Sequence, residues 1–145
     1  MSGETNAKQG EDWESLSFAE QCYYFGCAKY YGLEVEADRK IGLSLLKEAG
    51  DLENLDAIRM LISIYEDEDS PDFDTQEALR WRERQVEVCK HLCGMTDEKT
   101  LAAFGALAYA YCEAEEFEKA RAVSEPLFEM RRSLWVKAIT TPSLP

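Results

Sequence analysis

Few side chains in this sequence have the reach for chemistry. The single histidine, His91, stands between Cys89 and Cys93. On one helix those two cysteines share a face, while His91 points roughly the opposite way. A structural zinc site needs four converging donors, and no second Cys/His pair completes a set. His91 therefore reads as a solvated residue near a helix C-terminus, where positive charge is favoured. A histidine-dependent triad has to be built on His91, and no partner set for it is visible. The phosphate-cradling glycine loop and the dinucleotide fingerprint are both missing. The densest carboxylate cluster is "EDEDSPDFD", Glu66 to Asp74, with six acids and no base. Read as a calcium loop from Asp67, it puts Pro71 at a ligand position, Asp72 at the glycine bend and Ala78 at the closing glutamate. It reads better as a solvated acidic loop, with a possible second use as a docking patch for a basic partner. The expectation is no metal, no cofactor, no catalytic residue and no enzyme.

The bulk composition points the same way. The chain has 145 residues, 46% hydrophobic and 31% charged, with four prolines. That is enough for one domain with a hydrophobic core. The formal net charge of −13 repels phosphate backbones and anionic bilayers, so neither nucleic acid nor membrane is expected as a partner. A peptide or protein carrying basic residues is the natural complement. The cysteine count is odd, and Cys22, Cys27, Cys89, Cys93 and Cys112 all fall in helical patterns behind a polar N-terminus. Reduced thiols packed as small apolar groups in a cytoplasmic protein are expected.

The elements that position these residues read as helices throughout. Residues 1–12 are polar and form an expected flexible tail; residues 139–145, ending "TTPSLP", form another. A single helical domain spans 13–138. Ser17 and Glu20 open a first helix as a capping box, and Gly32 closes it. A second spans about Ala37 to Ala49, with Gly50 as a left-handed stop. A third runs from about Leu52 to Glu66. Asp74 and Glu77 open a fourth, from about Thr75 to Cys93, stopped at Gly94. Asp97 caps a fifth, to about Ala114. A sixth begins near Phe117 and reaches about Ala138, with a kink or break expected near Pro126. Beyond Pro126, Leu127, Met130, Leu134 and Ala138 make an apolar stripe, with Phe128 and Trp135 beside it.

The helices also repeat. Phe104, Leu107, Ala108, Tyr111, Phe117 and Ala120 fall at offsets of 0, 3, 4, 7, 13 and 16. This pattern resembles the tetratricopeptide repeat. Ile58, Leu61, Ile62, Tyr65, Ala78 and Trp81 echo it with a longer connection, similar to the variety found in kinesin light chains. Phe25, Gly26, Gly32, Val35, Asp38, Lys40, Ile41, Lys47 and Ala49 resemble the related Sel-like repeat, with Glu34 where that family carries a second loop glycine. The resemblance covers roughly Phe18 to Arg132. It implies an all-α fold of three antiparallel helix pairs stacked as a right-handed superhelix, with a C-terminal capping helix. Small residues such as Gly26, Ala108 and Ala120 would let helices touch. An ordinary helical bundle is the alternative.

In such a stack the first helices of each pair line a hollow face. If Phe25, Leu61 and Leu107 point to the core, Tyr23, Cys27, Arg59, Ser63, Gly105 and Tyr109 point outward. One more turn adds Tyr30, Tyr31, Glu66 and Glu113, with Glu20 and Asp56 at the entrance. Tyrosines offer stiff contact area at low entropic cost, and carboxylates pair with ligand lysine or arginine. The resemblance implies an adaptor or scaffold that binds a partner's peptide or helix on this concave face. Two other readings stay open. One is a self-associating structural or regulatory subunit, a homodimer through the last helix around Trp135. The other is a small enzyme.

Overall fold

The computed structural model describes residues 13–141; both polar tails, 1–12 and 142–145, lie outside the described residues. A single 3-10 turn, Trp13–Ser15, precedes six helices, and no strand occurs among the described residues. We number them α1 (Phe18–Tyr31), α2 (Arg39–Asp51), α3 (Leu55–Glu66), α4 (Thr75–Cys93), α5 (Glu98–Glu113) and α6 (Phe117–Thr140). The chain is all-α. It divides between Phe73 and Asp74 into two compact units of three helices each.

In the first unit, α1 packs on α2 and α2 on α3. Side-chain oxygens start each helix by accepting orphan backbone N–H groups. Ser17 takes the Glu20 N–H, Asp38 the Ile41 N–H and Asn54 the Ala57 N–H. Glu20 does reach back to Ser17, but to its hydroxyl, which donates to Oε1 at 3.0 Å. Gly32 ends α1 in the left-handed region at φ 70°. The expected stop at Gly50 is not one. Gly50 is buried inside α2, and the left-handed residue is Glu53 at φ 67°. The start of α3 moves accordingly from Leu52 to Leu55, behind its Asn54 cap.

What sets the α1–α2 crossing is glycine against glycine. A Cβ on Gly42 would come within 2.6 Å of the Tyr30 backbone nitrogen, and one on Gly26 within 3.0 Å of Leu46 Cγ. Backbones approach this closely only where no side chain intervenes. The contact also fixes which way α1 is turned: Cys22, Gly26 and Tyr30 are buried, at intervals of four residues. The expectation that Phe25 points into the core is therefore wrong, and Phe25 is exposed. Leu46, Ala57, Ile58 and Leu61 are fully buried, and each large one contributes about 1.5–3 kcal/mol.

In the second unit, α4 packs on α5 and α5 on α6. Asp74 accepts from the Gln76 and Glu77 N–H groups, and Asp97 from the Lys99 N–H. Glu77 does not complete a box; its carboxylate pairs with Arg80 at 3.0 Å. Leu107, Ala108, Tyr111 and Ala120 are buried, as is Thr100, whose hydroxyl donates to the Cys89 carbonyl at 3.1 Å. The expected break at Pro126 does not occur, because α6 continues from Phe117 to Thr140, two residues into the stretch expected to fray. Pro126 has no N–H to give the Ala122 carbonyl, and both residues lie on the exposed side of the helix, where a missing donor costs least.

Candidate functional site: the Tyr23–Tyr31 face

The first unit gathers most of the residues selected from spacing. Tyr23, Cys27 and Tyr31 recur every four residues and so share one face of α1. That face meets α3. The Tyr31 hydroxyl donates to Met60 Sδ at 3.6 Å. The Asp56 carboxylate acts electrostatically on both Tyr23 and Cys27, and Asp67 acts on Tyr31. Thus Asp56, in the first turn of α3, acts on the earlier part of the α1 face, and Met60 and Asp67 act on its later part, the Tyr31–Met60 hydrogen bond being the direct contact. These interactions advance in the same direction along both helices.

Around this seam lie the remaining candidates. Asp56, Arg59, Ser63 and Glu66 are exposed on α3, and Arg59 Nη1 pairs with Asp56 Oδ1 at 3.5 Å. Tyr31 is 53% exposed, whereas Tyr23 is half-buried. Glu20, half-buried one turn before Tyr23, is held by the Ser17 hydroxyl. One arginine faces several carboxylates, so the surface favours a ligand with positive charge.

The titration of the face limits its chemistry. Burial, reinforced by Cys27 and Asp56, pushes the Tyr23 hydroxyl up to about 12. Burial also raises Tyr31 and the Cys27 thiol; a hydrogen bond with Tyr23 pulls Cys27 back part of the way. All three are neutral at physiological pH. A raised thiol is a poor nucleophile, and a raised phenol is poorly placed to move protons near neutrality. The face is suited to holding a ligand through aromatic area, hydroxyls and fixed charge.

Tyr30 does not belong to it. Its ring is buried with Gly26 and Cys22, and its hydroxyl donates to Asp72 Oδ2 at 2.8 Å. Arg39 Nε stands 3.4 Å from the same oxygen. Asp72 of the acidic loop is thus occupied in pinning that loop to α1 and α2. Asp67 likewise folds the loop on itself, accepting the Asp69 N–H at 3.0 Å.

Tyr109 and Glu113 belong to the second unit. Tyr109 is 66% exposed, and its hydroxyl donates to Glu113, which raises its pKa. Gly105 was expected to face outward, yet it is half-buried, and a Cβ there would meet Leu127 of α6. Near it, Met95, Leu101, Phe104, Leu127 and Met130 line an apolar cavity of about 110 Å³. Tyr111 is internal, its hydroxyl donating to Glu83 at 2.6 Å with Lys119 5.8 Å above its ring.

The spacing argument missed Met60, which lies one residue past Arg59 and receives the Tyr31 hydroxyl. Its position in α3 was available, but the contact depends on the turn of α1 that the glycines impose. His91 is exposed on α4, Cys89 is buried and Cys93 half-buried. All described cysteines are free thiols, Cys112 alone being exposed. No cluster of three or more potential metal ligands occurs among the described residues. No helix among them is long and apolar enough to cross a membrane. No protein-family model, curated protein or solved structure matches this chain.

Proposed function

We propose that this protein is a non-catalytic binding module whose Tyr23–Tyr31 face holds a peptide or helix of a protein partner bearing basic residues. The observation that carries the reading is the register between α1 and α3. Asp56 acts electrostatically on Tyr23 and the Tyr31 hydroxyl reaches Met60 Sδ, and on this reading the two helices contribute to one strip of tyrosine, arginine and carboxylate. In a stack of tetratricopeptide-like and Sel-like hairpins, first helices run side by side in the same sense and line the hollow face. The order of these interactions along α1 and α3 supports that architecture.

Glu34 adds support. It adopts φ 65°, in the left-handed region, at the loop position where the Sel-like pattern carries glycine. On this reading the fold is a right-handed superhelix, α6 serves as its terminal helix, and the protein acts as an adaptor in the cytoplasm. Tyr109 and Glu113 are contact candidates of the second unit taken by itself. The test is selection of displayed random peptides on the intact protein. Enrichment of Lys- and Arg-containing sequences that compete with one another and perturb α1 and α3 resonances supports the reading. Absence of enrichment, or perturbations confined elsewhere, contradicts it.

A further inference from the structure

The C-terminal helix α6 carries a second apolar stripe that no described residue covers. Only Ala120 is buried among its 24 residues, which span roughly 36 Å. Val123, Leu127 and Met130 lean inward and are half-buried. Phe128, Trp135 and Ile139 recur at steps of seven and four residues on a different side, and they are 69%, 67% and 59% exposed. Large aromatic residues aligned at this exposure mark an interaction surface rather than scattered surface apolarity.

The charges beside the stripe choose its occupant. Glu125 and Glu129 precede the midpoint of the exposed segment; Arg131, Arg132 and Lys137 follow it. Glu125 is held by Arg121 at 2.8 Å, but Glu129, Arg131, Arg132 and Lys137 make no side-chain ion pair among the described residues. A parallel companion helix of the same sequence would set arginine against arginine. An antiparallel one sets the acidic half of each copy against the basic half of the other. Centred near Met130, that pairing brings Arg132 within one residue's rise of Glu129 of the second copy, on the same flank of the stripe. It also brings Trp135 level with Glu125 and Pro126 of the second copy. A shallow depression of about 690 Å³ lies there, lined by Ala122, Ser124, Glu125, Pro126, Phe128 and Glu129. The arrangement is self-complementary, as a two-fold interface must be.

We propose that α6 is a homodimerisation helix, which pairs antiparallel with α6 of a second copy through Phe128, Trp135 and the Glu129–Arg132 contacts. This does not depend on the peptide-binding reading, which concerns another face. Sedimentation equilibrium of the intact protein at micromolar concentration tests it. A dimer is expected, weakened at least tenfold by Trp135→Ala, whose exposure leaves the fold intact. Two charge variants sharpen the result. Glu125→Lys with Glu129→Lys, and Arg131→Glu with Arg132→Glu, should each be monomeric alone and form a heterodimer when mixed. Overturning results are a monomer throughout the range, a dimer indifferent to Trp135→Ala, or charge variants that fail to associate on mixing. A monomer that sediments with anionic phospholipid vesicles through the same stripe also overturns it, in favour of a membrane surface.

Discussion

At the scale of single residues, two glycines do work that the sequence shows only in part. The Sel-like pattern draws attention to Gly26, but Gly42 looks like an unremarkable helix interior position until its neighbour is known. Replacing Gly42 by alanine drives a methyl group into the Tyr30 backbone and should cost about 1–3 kcal/mol, as an overpacked core does. Urea unfolding followed by circular dichroism measures it; an unchanged midpoint would mean that α1 and α2 separate at little cost. Tyr23 gives a second prediction. Its folded pKa, about 12, lies above the unfolded value near 10. The stabilisation is therefore complete below pH ~10 and is lost as pH rises from there toward ~12, because only the unfolded state ionises first. Spectrophotometric titration near the phenolate band should show several late-ionising tyrosines, Tyr111 among them, and Tyr23→Phe should remove one of these. Capping residues, by contrast, were readable directly, since Ser17, Asp74 and Asp97 act through local hydrogen bonds. The Tyr30–Asp72 bond was not, because its partners lie in elements far apart along the chain.

At the scale of elements, helix content and most boundaries followed from periodicity and caps. α4 lies where expected from Asp74 and Gly94, and α1 ends at Gly32. The α2–α3 turn was misplaced because Gly50 is spent on packing rather than on a left-handed stop, a role Glu53 takes instead. The turn of α1 about its own axis was misjudged for a similar reason. Three of its aromatic residues compete for the core, and the glycine contact rather than size decides in favour of Tyr30 over Phe25. That single rotation is why Tyr30 leaves the candidate face while Tyr23 and Tyr31 stay on it. In the second unit, Ala108 and Ala120 are both buried at 8% and 4% exposure. Ala108→Leu and Ala120→Leu should each destabilise by about 1–3 kcal/mol. Thermal unfolding of the two variants checks this, and neutrality at both would mean that the space around them is slack. Pro126 shows the limit of a local rule: an isolated proline lacks the donor to continue a helix, yet α6 passes through it at an exposed position.

At the scale of the whole molecule, the charge of −13 governs encounter. Association with a basic ligand should be steered electrostatically and slow as salt rises, with the Debye length falling from about 10 Å at 0.1 M to about 3 Å at 1 M. The acidic balance was legible in the sequence, whereas the alignment of α1 with α3 was not. Repeat spacing says which residues recur, but a binding face exists only once two helices are in register. The affinity of a selected basic peptide for Tyr31→Ala, measured by isothermal titration beside the unaltered protein and Tyr30→Phe, tests this most directly. Tyr31→Ala should lose at least tenfold, about 1.4 kcal/mol, while Tyr30→Phe, altered only at the buried Asp72 contact, should bind as before. Equal affinity for the unaltered protein and Tyr31→Ala would contradict the assignment of this face.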